Sequence, residues 1–247
     1  MGQKNIKLSI VIPAYNEEQR IEPTLERYWD CFSNKLNNNF EIIVIPNGCS
    51  DNTLGVVEKF MKNKKNIICK NIPYKARKGG AILEGFKIAK GELIGFVDAD
   101  ISTSPEAFYN LYENINGCDA IIASRWIKGA TVEPKQPLNR RFVSRVYNIL
   151  VNSLFFLNIK DTQCGAKLFK KIPLQESAKN VTTTKWAFDT DLLYQLKRKK
   201  YKIKEFPTEW KEAEASKIVI RKQSIEMFLD MIKLRLINSP LKFLIKK

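Results

Sequence analysis

Histidine is absent from all 247 residues. That removes the commonest general base and the commonest transition-metal ligand. Acid–base chemistry must fall to Asp, Glu, Lys, Tyr or Cys, and any bound metal is expected to be a hard one. Cysteine is sparse and scattered. Cys31, Cys49, Cys69, Cys118 and Cys164 make no Cys-x-x-Cys pair, which argues against a disulfide framework and a zinc site and for a reducing cytosol. Long apolar runs are lacking too, so no membrane span is expected. The first apolar run, Leu8–Ile12, stops at Pro13 and makes no signal peptide. Acid is in deficit: 42 Lys and Arg face 26 Asp and Glu, a formal charge of +16. Such a surface suits nucleic acid, an anionic membrane or phosphorylated substrates. With no helix-turn-helix, RNA-recognition or zinc pattern, nucleic acid is not expected as a partner.

The length fits one sizeable domain, or one domain with an appendage. Its first half alternates strand and helix. Strands are predicted at Leu8–Ile12, Phe40–Ile45, Asn66–Lys70, Leu93–Val97 and Asp119–Ser124. Helices are predicted at Glu17–Leu36, Asp51–Met61, Lys78–Lys90 and Ser104–Asn114. That rhythm predicts an α/β fold, a mostly parallel sheet with helices on both faces. Ligands of such sheets sit outside the carboxyl ends of the strands. There the sequence places Tyr15 to Glu17, then Asn47 and Gly48, then Asp98 and Asp100. Two carboxylates one residue apart at a strand end repel each other unless a cation neutralises them. Mg²⁺ or Mn²⁺ accepts one or two carboxylates and completes its shell from water and substrate phosphates. Asp98 and Asp100 are therefore candidate ligands of a metal–diphosphate. Lys75-Ala76-Arg77-Lys78-Gly79-Gly80 opens a helix, where backbone N–H groups and added cations favour an anion.

The second half reads differently. Thr131–Leu138 holds two prolines and is expected to be a loop. A helix follows with a broad apolar stripe, Val143, Val146, Tyr147, Leu150, Val151, Leu154 and Phe155, suited to the core or to a membrane interface. Near the C-terminus Ile225, Phe228, Leu229, Ile232 and Leu236 line one helix face, and from Lys217 onward eight Lys or Arg face two acids. This segment, 218–247, is expected to be a basic amphipathic tail to a 1–217 catalytic domain, docked on anionic lipid or on the domain itself.

Several stretches together resemble the GT-A family 2 glycosyltransferases: Ile12-Pro13-Ala14-Tyr15-Asn16-Glu17-Glu18, Gly48-Cys49-Ser50-Asp51-Asn52-Thr53, Lys78-Gly79-Gly80-Ala81 and Asp98-Ala99-Asp100. Asp161–Phe169 and Trp186-Ala187-Phe188-Asp189 narrow the resemblance to the branch of dolichyl-phosphate β-glucosyltransferases and polyprenyl-phosphate mannosyltransferases. The resemblance implies a GT-A (Rossmann-like) fold and inverting, metal-dependent transfer of a hexose, glucose first and mannose second. The donor would be UDP-glucose or GDP-mannose, the acceptor a dolichyl or polyprenyl phosphate, and the place the cytoplasmic face of a membrane, to which the enzyme binds peripherally. It implies that Pro13, Tyr15, Glu17, Asn47, Lys78, Gly79, Asp98 and Ala99 bind the donor nucleotide. Asp98 and Asp100 would hold the metal, with Ser102 a further ligand. Ser124-Arg125, Arg140 and Ser144 would grip the acceptor phosphate. A phosphate nucleophile is already anionic and hardly requires a base; for a glycan or other hydroxyl acceptor, Asp189 and then Asp161 would serve. The chain departs from the family where Pro46-Asn47-Gly48-Cys49 replaces the usual Asp-Asp-Gly-Ser, leaving the donor base open, and at Ala166, where relatives usually carry Phe.

Overall fold

The computed structural model describes residues 5–134, 138–211 and 220–240, without the side chains of 138–140 and 220–224. Strands β1 (Leu8–Ala14), β2 (Phe40–Pro46), β3 (Ile67–Cys69), β4 (Leu93–Phe96) and β5 (Ala120–Ser124) alternate with helices α1 (Ile21–Leu36), α2 (Thr53–Met61), α3 (Arg77–Ile88) and α4 (Pro105–Asn114). Then come β6 (Thr131–Glu133), α5 (Leu138–Phe155), β7 (Lys167–Lys170), α6 (Lys171–Ala178), α7 (Phe188–Arg198), β8 (Ile203–Pro207), β9 (Glu209–Lys211) and α8 (Ile220–Ile237).

Seven strands form one sheet in the order β3-β2-β1-β4-β7-β5-β8. All its pairs are parallel except those of β7, which runs against both β4 and β5. Both faces are covered, so the central strands read as continuous apolar runs rather than alternating ones. Along β1, Leu8, Ile10 and Ile12 enter the core beneath α1 and α4, while Val11 enters the core beneath α3 and α7. The first core is aromatic at its centre, where Phe32 meets Tyr28, Phe40 and Phe108. The second gathers Phe86, Phe96, Phe169 and Phe188.

Several expected boundaries move. Helix α1 begins at Ile21, not Glu17. The Glu17 carbonyl accepts from the N–H groups of Arg20 and Ile21, and its own N–H donates to Thr53 Oγ1 at 2.8 Å, closing a turn before the helix. Helix α2 begins at Thr53, because the Asp51 side chain accepts from the N–H groups of Glu18 and Thr53. Part of the expected loop is strand β6, paired in parallel with β9; Pro134 lies just past it and does not interrupt the pairing. The expected domain boundary at 217 lies outside the described residues. Helix α8 nevertheless packs on the domain, inserting Met231 and Leu234 into the second core. The stripe expected to anchor it is turned outward, with Ile225, Phe228 and Leu229 exposed.

Helix α1 also clamps the loop after β4. Thr24 Oγ1 donates to the Ala99 carbonyl at 2.7 Å, and Tyr28 Oη to the Thr103 carbonyl at 2.8 Å. Between them Ile101 is held at φ +60°, a conformation costly for a β-branched residue. Thr24→Val and Tyr28→Phe each orphan a buried carbonyl and are expected to lower stability by about 1–2 kcal/mol. Urea unfolding of both single variants and the double variant checks this, and their summed loss should exceed that of either alone.

Candidate active site

The carboxyl ends of β1, β2, β4 and β5 share one rim of the sheet. Because β7 is antiparallel, its beginning lies at that same rim: Lys167 is opposite Phe96 in β4 and Ile122 in β5. The segment Asp161–Ala166 is thereby delivered beside Asp98 and Arg125. An α/β reading of the first half alone does not foresee this, since the strand is four residues long.

The loops after β1 and β2 are laced together. Asn16, at φ +55°, exchanges hydrogen bonds with Ser50, and Glu18 Oε2 accepts from the Asn52 N–H at 3.1 Å. Two of the recognised motifs therefore hold each other's shape. Around them lie the expected donor residues. Pro13 is half-buried in β1, and Tyr15 is exposed with Lys75 Nζ 3.9 Å from its ring centre. Asn47 is buried. Its Nδ2 donates to the Ala14 carbonyl at 2.8 Å, and its Oδ1 has no partner among the described residues. Glu17 forms an ion pair with Arg20 at 2.7 Å; burial first, then Asp100 and Asp98, outweigh that arginine and raise its pKa.

Asp98 lies at the centre of the rim. Its Oδ1 meets Lys78 Nζ at 2.5 Å. A Cβ on Gly165 would sit 1.8 Å from Asp98 Oδ2, so any side chain there would displace the carboxylate from this position. Burial, together with Asp100 and Asp189, pushes the Asp98 carboxyl upward despite the lysine. The Lys78 ammonium is pulled down by burial but lifted more by Asp98, then Asp189 and Asp100, and ends well above its ordinary value. Negative charge is thus in excess. Asp100 turns its Oδ1 onto the Ser102 N–H at 3.0 Å, and Ser102 is buried. Ala99 is buried with its carbonyl taken by Thr24. Gly79 is not an open phosphate cradle: a Cβ there would meet the Phe188 ring at 2.5 Å, so this glycine serves the packing of α3 on α7. Among the described residues no group of three or more Cys, Asp or Glu converges on one metal position. Asp98 and Asp100 suit a hard cation that takes its remaining ligands from phosphate and water.

Both candidate bases are bound in ion pairs. Arg125 Nε and Nη2 grip the two oxygens of Asp161 at 2.8 and 3.0 Å, and the Arg125 N–H adds a third bond at 2.9 Å. Asp161 is buried and the Arg125 side chain mostly so, with the guanidinium 5.5 Å from the Trp210 ring centre. Burial raises the Asp161 carboxyl, but Arg125 outweighs it and the net shift is down. Asp189, in the first turn of α7, accepts from Lys167 Nζ at 2.5 Å; that ammonium is fully buried and also donates to the Cys164 carbonyl at 2.6 Å. Cys164 is buried and its thiol is pushed up to about 11 by burial, so it is no nucleophile. Ser144 is half-buried on α5, which also carries Arg140, whose side chain lies outside the described residues. Lys167 escaped assignment from the sequence. Its signal was there, a lone lysine in the buried apolar run Ala166–Phe169, which demands a partner.

Replacing Lys167 with Met leaves Asp189 buried and unpaired, and is expected to cost about 3–5 kcal/mol. The double variant Lys167→Met/Asp189→Leu should recover most of that loss in urea unfolding. Because the Asp161 pKa is depressed on folding, its contribution is complete above the unfolded value of 3.8 and is lost as pH falls through the lower folded value. The stability of Asp161→Asn is expected to lie below that of the parent at neutral pH and to converge on it in acid, measured by unfolding across that range.

Known proteins resemble this chain in sequence and in fold. The profile of glycosyl transferase family 2 matches residues 9–177. A dolichyl-phosphate beta-glucosyltransferase of Trichomonas vaginalis is 33% identical over 243 residues, covering 93% of this chain and 73% of that protein. One from Saccharomyces cerevisiae is 28% identical over 251 residues, covering 94% and 75%. Glucosyl-3-phosphoglycerate synthase from Mycobacterium tuberculosis, solved with Mn²⁺, UDP and glucosyl-3-phosphoglycerate, has the same fold. Its TM-score is 0.68 at 17% identity, covering 93% of this chain and 78% of that one. A mannosyltransferase from Pyrobaculum calidifontis with GDP-Man and Mn²⁺ gives 0.67 at 15%, covering 98% and 66%. The chain belongs to glycosyl transferase family 2 and is a glycosyltransferase of GT-A fold.

Proposed function

We propose that this enzyme transfers a hexose from a nucleotide-sugar to a polyprenyl phosphate, with UDP-glucose the first donor and GDP-mannose the second. One observation carries the choice of acceptor: Asp161 and Asp189, the two carboxylates expected as bases, are each held in an ion pair, with Arg125 and with the buried Lys167. A hydroxyl acceptor needs a base to take its proton. A phosphate monoester arrives ionised and needs none. The names of the relatives agree with this reading, since the Trichomonas and yeast proteins are dolichyl-phosphate beta-glucosyltransferases.

The roles follow from the rim. Tyr15 and Lys75 offer a face for the nucleoside, and the unpartnered Asn47 Oδ1 is an acceptor for an N–H of the base, which uracil and guanine both possess. Its Nδ2 is fixed by the Ala14 carbonyl, so the amide cannot turn to present a donor instead. Asp98 and Asp100 would hold Mg²⁺ or Mn²⁺, which when bound would neutralise charge on the departing nucleoside diphosphate. Lys78 is close enough to Asp98 to exchange that partner for a diphosphate oxygen. Arg125, its fork on Asp161, keeps Nη1 for an incoming phosphate, with Arg140 and Ser144 on the following helix. The acceptor oxygen attacks the anomeric carbon from the side opposite the diphosphate, the glycosidic bond to the nucleotide breaks, and configuration inverts. Among the described residues no helix is long and apolar enough to cross a membrane. A lipid acceptor requires contact with the membrane that holds it, which we assign to the cytoplasmic face.

The test is a donor panel with lipid extract and Mg²⁺ or Mn²⁺, read by mass of the lipid product. A hexosyl-phosphoryl-polyprenol is expected, and transfer only to hydroxyl acceptors would overturn the reading. Asp98→Asn and Asp100→Ala are expected to lower turnover about 100-fold or more with unfolding midpoints preserved. Chelation should abolish product in the parent, and Mn²⁺ should restore it.

A further inference from the structure

We infer that Asn148 and Asn152 are positioning residues for the acceptor phosphate: they fasten α5 to the segment 159–162 and, through Asp161, hold the Arg125 fork in place. The inference rests on the phosphate-acceptor reading and adds the groups that brace its arginine. In the sequence the two asparagines stand four residues apart, beside the broad apolar stripe of α5, so both reach the same neighbour. In the structure that neighbour is the chain around Asp161. Asn148 Nδ2 donates to the carbonyls of Ile159 and Lys160 at 2.9 and 2.7 Å. Its Oδ1 accepts from the Thr162 N–H at 3.3 Å and from Thr162 Oγ1 at 3.1 Å. Asn152 Nδ2 donates to the Ile159 carbonyl at 2.7 Å, and its Oδ1 accepts from the Ile159 N–H at 3.0 Å. The two side chains thus bind the backbone on both sides of Asp161.

The segment does not hold this course by itself. Phe156 and Asn158 both sit at left-handed φ, +54° and +57°, a conformation that asparagine tolerates and phenylalanine resists. Leu157 and Ile159 are buried in the second core and pin the segment from beneath. From β8, Glu205 accepts from the N–H groups of Lys160 and Asp161 at 2.8 and 3.0 Å. The backbone of Asp161 is therefore fixed from α5 and from β8 before its carboxylate meets Arg125. That carboxylate takes Nε, Nη2 and the N–H of Arg125, which leaves Nη1 without a hydrogen-bond partner among the described residues. A guanidinium grips phosphate through a planar fork, so its orientation matters, and a fork that turns freely loses affinity to side-chain entropy. A brace that fixes the fork beforehand removes that cost from acceptor binding. Among the described residues the side chains of Asn148 and Asn152 bond only to α5 and to 159–162, and not to the Asp98 rim, so the brace serves the acceptor rather than the donor.

The experiment is steady-state kinetics of the full chain with UDP-glucose or GDP-mannose, whichever the donor panel selects, Mn²⁺ and a short, water-soluble polyprenyl monophosphate, run well below each variant's unfolding midpoint. Asn148→Ala should raise the KM for the polyprenyl phosphate about 10-fold, and Asn152→Ala should raise it in the same direction, with the donor KM within about twofold. Asn148→Asp keeps the shape but turns the donating amide into an acceptor against two carbonyls, and should match or exceed Asn148→Ala. Arg125→Lys keeps a cation for Asp161 but removes the fork. In that background Asn148→Ala should change the acceptor KM by less than about twofold, because the group it positions is gone. Should Asn148→Ala fail to fold, Asn152→Ala, which leaves the bonds of Asn148 in place, carries the same comparison. A donor KM that rises in step with the acceptor KM, an acceptor KM unchanged in both alanine variants, or an undiminished effect beside Arg125→Lys would overturn the positioning role. A parent that glycosylates only hydroxyl acceptors sinks the phosphate reading alone if the alanine variants raise the KM of that hydroxyl and keep their coupling to Arg125, and overturns both if they do not.

Discussion

The reversal of one short strand governs the site. Were β7 parallel to its neighbours, the residues before it would emerge at the opposite edge of the sheet, far from Asp98. Running antiparallel between β4 and β5, it returns Asp161–Ala166 to the rim where β4 and β5 end. Two consequences follow from this single choice of direction. Gly165 can press against Asp98 only because the chain passes there. Lys167, the first residue of the strand, is buried within the sheet layer and must find an anion, which α7 supplies as Asp189.

The electrostatics follow from that arrangement. Paired buried ions add little net stability, since desolvation offsets their attraction, but each member becomes costly to lose. Arg125–Asp161 and Lys167–Asp189 are such pairs, and both lie where a reacting phosphate would have to come. They remove two carboxylates from service as bases and leave Asp98 and Asp100 with Lys78 as their counterion. An excess of negative charge in a half-buried pocket attracts a divalent cation, while the arginine beyond it attracts an anion. On the proposed reading, charge would sort donor and acceptor to different sides of Asp98.

The fold was readable where burial is two-sided. Leu8–Ile12, Phe40–Ile45 and Leu93–Val97 are apolar runs because each strand is covered above and below, and the alternation with helices announces the parallel arrangement. Strand β7 was hidden by its length and by Lys167, a charge that no strand pattern anticipates. The start of α1 was misplaced because Glu17–Arg20 has helical composition but is held as a turn by Thr53, a contact 36 residues away in sequence. On α5 and α8 the apolar periodicity was real but could not say which line faces the core. A helix with apolar residues on two sides reads as one broad stripe, and only its neighbours decide which side is buried. Of the candidate site residues, Asp98 and Lys78 were legible as charged groups at a strand or helix end and Arg125 through the family resemblance, whereas the contacts of Gly165 with Asp98 and of Lys167 with Asp189 were not, because they depend on β7.

The absence of histidine now has a place in this chemistry. No side chain in the chain has an ordinary pKa between 5 and 8. An enzyme activating a hydroxyl at neutral pH would need one moved into that window and left free to accept a proton. Asp161 is moved the other way by its arginine, and Cys164 is pushed up to about 11 by burial. The group whose ionisation naturally falls in the window is a phosphate monoester, with a second pKa near about 6. Proton control of the reaction then belongs to the acceptor rather than to the protein. On the proposed reading, what the protein supplies is fixed charge: a carboxylate pair for the donor's metal and a braced guanidinium for the acceptor.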